Sequence, residues 1–256
     1  MREYADEKII RQYLSDNAKV IHIDTLALID STNDEMKRRA EKGEPAISLL
    51  IAEEQTNGRG TKGRSFFSPE GTGIYMSILL RPTYSVQDCT LLTTMTAVST
   101  AKAIEKVTGL TPQIKWVNDI YLNGKKAGGI LTQAHLSKDG SQVKWAVVGI
   151  GVNLSEPEGG FPAGLTQIAT TLGNEEEHIK NRLIAEITNE FVFYYNNLSK
   201  KEFIEEYAKR LLGLHEEMTV QSGENQITGQ IIGIDEMCHL QLRLPDGSIR
   251  ILNSAL

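Results

Sequence analysis

Three glycines and three cations interleave in one short run, Gly58–Arg64, which reads GRGTKGR. Glycine lets the backbone approach a ligand closely and take positive φ. Exposed N–H groups and the guanidinium forks of Arg59 and Arg64 can then surround anionic oxygens. Such a loop is a cradle for phosphate or carboxylate; a solvated basic loop has the same composition. It matches neither the P-loop pattern nor the dinucleotide fingerprint, so its meaning rests on its company.

That company comes from three other stretches. Gln113–Leu131 holds Trp116, Asn118, Asp119 and Lys126, and the pair Asn123–Gly124 marks a type I′ hairpin turn. A hairpin there would bring Asn118, Asp119 and Lys126 together, with facing set by register. The alternatives are a turn at Asn118–Asp119, a solvated edge lysine and a core tryptophan. Val143–Leu154 carries Gly149 and Gly151 inside a strand-like run and ends near Asn153. Interior glycines of this kind mark close approach by a ligand or another backbone. In DSTND, Asp30–Asp34, Thr32 with Glu35 fits a capping box, and Ser31 offers a second capping hydroxyl. The helix that follows is either simply capped or turns its N-terminal N–H groups toward a ligand.

The elements that must position these residues follow from periodicity. Helices are expected over Asp6–Leu14, from Thr32 to the stop at Gly43 and Pro45, and over Leu91–Val107, Asn181–Leu198 and Phe203–Leu212. Strands are expected over Val20–Ile29, Ile47–Glu54, Gly73–Arg81, Gln113–Leu122 and Val143–Leu154, with a loop over Ser155–Gly164. From His215 onward short strands and tight turns, including Pro245–Asp246–Gly247, predict a small antiparallel module. A boundary near Gly213 divides a catalytic domain over 1–213 from a small β domain over 214–256.

The chain has 256 residues, 40% hydrophobic and 23% charged, which suits a soluble globular protein of one large domain, or of one domain with a small appendage. Its net charge of −6 disfavours non-specific nucleic-acid binding, which needs phosphate neutralisation. The basic loop is a local exception that fits a small anion. Cys89 and Cys238 stand far apart without metal-ligand spacing and read as thiols in a reducing compartment. No membrane-length apolar run and no secretory h-region are visible, so the cytoplasm is the expected compartment.

Taken together, these motifs resemble those of the biotin protein ligases of the monofunctional type, without an N-terminal DNA-binding domain ahead of Ile29. The resemblance rests on DSTND, EEQTNGRGTKGRSFFSP at Glu53–Pro69 and GTGIYMSILLRP at Gly71–Pro82. KWVNDIYLNGKKAGGIL at Lys115–Leu131 and GIGVN at Gly149–Asn153 complete it. It implies an α+β fold: a mixed or antiparallel sheet with helices packed on it, class II synthetase-like, plus a small C-terminal SH3-like β-barrel. It also implies an ATP-dependent, Mg²⁺-assisted ligase that forms biotinyl-5′-adenylate and passes biotin to a lysine of a biotin carboxyl carrier protein. By the same resemblance Ser31, Thr32, Asn33, Gln55, Arg59, Gly60, Thr61, Lys126 and Gly129 line the biotin site. Gly58, Arg59, Arg64, Phe66, Trp116, Asn118, Lys126 and Asn153 serve ATP, and Arg59, Lys126 and Asp119 are the catalytic groups. Three positions depart from the family pattern: Thr61 replaces an Arg, Val117 a Pro, and Phe66 stands where a Trp is common. A lipoate or octanoate ligase or transferase of the same fold is the alternative; the GRG loop and the KWVND block favour biotin. No nucleic acid and no membrane are expected as partners, and a homodimer stays open.

Overall fold

The computed structural model describes residues 3–173, 176–222 and 225–253. Seven strands form one mixed sheet: β1 (His22–Ile29), β2 (Ser48–Gln55), β3 (Gly73–Leu80), β4 (Gln113–Lys115), β5 (Asp119–Leu122), β6 (Lys125–Leu136) and β7 (Val143–Asn153). Their spatial order is β1-β2-β3-β7-β6-β5-β4. Only β1 and β2 run parallel; all other pairs in the sheet are antiparallel. Every residue of β3 is buried, as a central strand covered on both faces must be.

The helices are α1 (Glu7–Tyr13), α2 (Thr32–Glu41), α3 (Val86–Cys89), α4 (Leu92–Thr108), α5 (Ile179–Asn196) and α6 (Phe203–Lys209). The large core gathers residues of α4, α5 and one sheet face, among them Leu49, Ile78, Val98, Ile150, Leu183 and Phe191. A smaller core under α2 joins Met36 and Ala40 to Leu50, Leu79, Trp145 and Val147. Packing on both faces fixes strand register, because a one-residue slip would exchange the two faces. Four further strands, β8 (Glu217–Ser222), β9 (Asn225–Ile234), β10 (Leu240–Arg243) and β11 (Ile249–Leu252), make a small antiparallel SH3-like sheet in the order β11-β10-β9-β8. Residues 223–224 and 254–256 of the expected β domain lie outside the described residues.

A buried ion pair closes the back of the large domain. The ammonium of Lys180, 1% exposed, meets the carboxylate of Glu53, 6% exposed. The other Glu53 oxygen accepts from the backbone N–H of Ala5 at 2.6 Å, which ties the N-terminal segment to the same point.

Three expectations change. Gln113–Leu122 is a hairpin rather than one strand: Lys115 pairs with Asp119, and residues 116–118 form the turn. Partial alternation over ten β-prone residues suits two short arms as well as one long one. The cap of α2 is Ser31, whose Oγ accepts from the Asp34 N–H at 3.4 Å. Thr32 is already helical and its hydroxyl points elsewhere, so the expected box with Glu35 does not form; Glu35 is held by Arg38 and Arg39. A short helix, α3, precedes the one expected from Leu91.

Candidate active site

The N-terminus of α2, the end of β2 and the middle of β3 meet in a buried polar knot. Ser31, Thr32 and Asn33 are 1%, 3% and 4% exposed. The Oε1 of Gln55 accepts from Thr32 N at 2.9 Å and Thr32 Oγ1 at 3.1 Å, while its Nε2 donates to Ser68 Oγ at 2.9 Å. Ser77, fully buried on β3, sets its Oγ 2.8 Å from Thr32 Oγ1 and 2.6 Å from Asn33 Oδ1. Asn33 Nδ2 donates to Leu131 O at 3.2 Å. Burying so many polar atoms is tolerable because each has a partner. Gly149 completes the fit: a Cβ there would lie 2.0 Å from Asn33 Oδ1. The interior glycine thus answers to a neighbouring amide, which its sequence position alone did not reveal.

The basic run folds into a miniature hairpin. Arg59 bridges Ser65, Gly60 N donates to Arg64 O at 2.7 Å and Phe66 N donates to Gly58 O at 2.9 Å. The tip, Thr61–Gly63, is one tight turn with φ of 57° at Lys62 and 72° at Gly63. Arg59 Nε lies 2.8 Å from Asp34 Oδ2, and Lys37 holds the other oxygen at 2.5 Å. Burial would raise the Asp34 carboxyl, but the hydrogen bonds from Lys37 and Arg59 outweigh it and hold the group below its ordinary range. Thr61 tethers Arg64, accepting from its Nη2 at 2.9 Å through Oγ1 and from its Nε at 3.2 Å through the carbonyl. The Phe66 ring lies against Gly151, where a Cβ would come within 2.7 Å of it.

The third wall is the β5–β6 hairpin, turned at Asn123 and Gly124 with φ of 49° and 77°. Lys126 Nζ reaches Asp119 Oδ1 at 2.6 Å, and Gly129, opposite Asp119, leaves room for the pair. Asn118 Nδ2 donates to Ile130 O at 2.8 Å. A strap over 161–172 is pinned to the same strand: Lys126 N donates to Ile168 O at 2.8 Å and Thr170 N to Lys126 O at 2.9 Å. Asn153 Nδ2 holds the strap from the other side, donating to Thr170 O at 3.0 Å.

These walls enclose one cavity of about 420 Å³, a size that suits a small-molecule site. Arg59 and Lys126, from separate strand ends, both line it. So do Ser31, Thr32, Asn33 and Gln55, then Gly60, Thr61, Arg64 and Phe66, and finally Asn118, Asp119, Gly129 and Asn153. Four cations, Arg59, Arg64, Lys115 and Lys126, face one carboxylate, Asp119, in a chain whose net charge is −6. Met76, Ile130 and Ile150 supply an apolar patch. The cavity therefore suits an anionic ligand with an apolar portion.

Two expected residues do not line it. Gly58 is buried at the base of the loop, where a Cβ would sit 2.4 Å from Phe66 O; its role is to let the hairpin close. Trp116 turns the opposite way, packs against the large core and donates from Nε1 to Cys238 O at 2.9 Å. Sequence reasoning missed Ser77, whose signal was a lone hydroxyl inside GIYMSILL. It also missed Tyr121, Phe161 and Ile168, which line the cavity from positions without a distinctive pattern.

Comparison with known proteins adds the following. The model of the biotin/lipoate A/B protein ligase family matches residues 25–153, and that of the biotin protein ligase C terminal domain matches residues 214–255. A biotin–[acetyl-CoA-carboxylase] ligase of Paracoccus denitrificans is 30% identical over 230 residues, 87% of this chain and 94% of that one. A bifunctional ligase/repressor of Bacillus subtilis is 32% identical over 243 residues, 92% of this chain and 72% of that one. Among solved structures, the biotin protein ligase from Aquifex aeolicus in complex with biotin and ATP superposes with a TM-score of 0.77. Its identity is 29%, over 91% of this chain and 96% of that one.

Proposed function

The chain belongs to the biotin/lipoate A/B protein ligase family and is a biotin ligase, and on that premise we propose how its cavity runs the reaction. In the first step a biotin carboxylate oxygen attacks the α-phosphorus of ATP; the bond to the β,γ-diphosphate breaks and pyrophosphate leaves. The product is biotinyl-5′-adenylate, a mixed anhydride. In the second step the neutral ε-amine of a carrier lysine attacks the acyl carbon, AMP leaves, and the amine proton is released.

The buried knot of Ser31, Thr32, Asn33 and Gln55 holds the neutral polar end of biotin, and Met76, Ile130 and Ile150 take its apolar body. A carboxylate and a triphosphate repel, so the site must place positive charge where negative charge accumulates. Lys126 contacts the biotin carboxylate and then the bridging phosphate; Arg59 and Arg64 face the phosphates. Phe66 offers a ring to the adenine, and Asn118 and Asn153 serve the nucleotide from the strap side. Magnesium fits the donor set: one wall carboxylate, Asp119, plus phosphate oxygens suits an ion that keeps few protein ligands. The ion neutralises triphosphate charge when bound.

Asp119 lies against Lys126 at 2.6 Å and is the wall group able to receive or orient a proton. A carrier lysine has a reference pKa of about 10.4 and must lose a proton before it attacks. The carrier is a biotin carboxyl carrier domain. We assign residues 1–213 to catalysis and 214–256 to the β module.

The observation that carries this reading is the meeting of Arg59 and Lys126 in one cavity with a buried neutral polar floor. Incubation with ATP, Mg²⁺, biotin and a carrier domain, followed by intact mass, tests it. The expected result is one biotinyl addition on the carrier, dependent on ATP. Addition from lipoate or octanoate instead of biotin would overturn the substrate assignment.

A further inference from the structure

The turn that carries Asn118 and leads into Asp119 is held from behind, by groups that do not touch the cavity. Trp116, its first residue, points away from the pocket and is packed against the large core. Its indole N–H donates to the carbonyl of Cys238, in the β module, at 2.9 Å. The next carbonyl, Val117 O, accepts from the hydroxyl of Tyr207 at 3.1 Å, and Tyr207 is fully buried on α6. The strand before the turn is tied to the chain just after α6: Ile114 N donates to Arg210 O at 2.7 Å and Leu212 N to Ile114 O at 2.9 Å.

The acceptor is itself fixed. Cys238 has φ of 57°, in a turn organised by Asp235. One Asp235 oxygen accepts from Met237 N at 2.8 Å and His239 N at 2.9 Å, and the other lies 2.8 Å from His239 Nδ1. A rigid turn in the β module therefore holds a rigid rod, the indole, which holds the start of the active-site turn.

We propose that Trp116 and Tyr207 are positioning residues for adenylate formation, through which the β module and α6 set the placement of Asn118 and Asp119. The inference rests on the ligase reading above. Displacement of about 1 Å at reacting groups costs about two orders of magnitude in rate, and outer groups that orient inner ones are worth about 10–100-fold. The buried knot that receives the neutral end of biotin shares no hydrogen bond with this turn; biotin meets it only through Lys126, which Asp119 holds at 2.6 Å, so biotin affinity depends on it far less than adenylate formation does.

The test is Trp116→Phe in the full chain, which keeps an aromatic ring in the same packing and deletes the N–H. Biotin-dependent ATP–pyrophosphate exchange, biotin Kd by calorimetry and the melting temperature are measured together. The expected result is a kcat about tenfold lower, with biotin Kd changed much less than kcat and melting still well above the assay temperature. An exchange kcat equal to that of the unmodified protein would overturn the proposal. So would a kcat loss accompanied by an equal loss of biotin affinity, since that is general loosening. Should Trp116→Phe not fold, Tyr207→Phe removes only the hydroxyl on Val117 O and is read by the same three measurements. Absence of exchange in the unmodified protein, by contrast, would sink the ligase reading whatever Trp116 does.

Discussion

The floor and the mouth of the cavity are built by opposite means. The floor is neutral, buried and mutually hydrogen-bonded: Thr32, Asn33, Gln55 and Ser77 each hold another member in place. The mouth is charged and more exposed, and its groups rest on single ion pairs, Arg59 with Asp34 and Lys126 with Asp119. Neutral buried polar groups discriminate well, because a ligand lacking the matching atoms leaves them unpaired. Exposed cations can exchange one anionic partner for another at little net cost. On the proposed reading, recognition therefore sits in the rigid half, and the charge rearrangements of the reaction in the adaptable half.

The largest effect that would sharpen this contrast comes from Lys126→Ala. Loss of a cation aimed at developing charge costs about 10²–10³ in rate, so single-turnover adenylate formation should fall by that factor, with a smaller loss of biotin affinity from the missing carboxylate contact. Equal losses in both would erase the division between the halves. Next is Thr61→Arg, which adds a cation to the mouth and removes the hydroxyl half of the Arg64 tether while keeping the carbonyl half. A charged hydrogen bond is worth about 1.5–3 kcal/mol, so escape of the adenylate should slow by about tenfold or more, timed by release from preloaded enzyme; no slowing refutes the idea.

Gly149→Ala probes the floor. Its Cβ would meet Asn33 Oδ1 at 2.0 Å, and overpacking of this kind costs about 1–3 kcal/mol. Calorimetry should show weaker biotin binding at any ionic strength, whereas added salt should weaken ATP binding in the parent protein through the mouth. The smallest effect concerns pH. Arg38, by hydrogen-bonding both oxygens of Asp30, lowers that carboxyl to about 2. A depressed carboxyl stabilises the fold above its unfolded value of about 4, and that contribution is lost as pH falls toward 2. The pair is 44% exposed on each side, and solvent screening keeps its worth below about 1 kcal/mol. Asp30→Asn should therefore lower the urea midpoint slightly at pH 7 and by clearly less at pH 2.

Much of this was legible in the residues. Glycines beside arginines announced a tight basic loop, which the structure places in the cavity wall, Asn123–Gly124 announced its turn, and the helical periods of α4 and α5 followed from their apolar spacing. What could not be read was direction. Trp116 sits one residue after Lys115 and two before Asn118, both in the cavity wall, yet it faces away. The position of Cys238, 122 residues along, and the core behind the turn decide that. Gly149 and Gly151 looked like sites of ligand or backbone approach; both line the cavity, and both also make room for side chains, Asn33 and Phe66, that the sequence did not point to. Ser77 was hidden because one hydroxyl in a central strand reads as a tolerated exception. Facing, unlike period, is a property of the assembled molecule.

The joint between Glu53 and Lys180 constrains how such a molecule can be assembled. The two residues are 127 positions apart, and a carboxylate sealed in without its counter-charge carries a heavy desolvation penalty. A nascent chain that has already made β1, β2 and β3 still cannot seal the rear of its sheet. It must wait for the ammonium that α5 brings, late in synthesis. A fragment cut short of α5 would thus keep that carboxylate wet and its amino-terminal arm unfastened, which makes the last large helix the keystone of the vault.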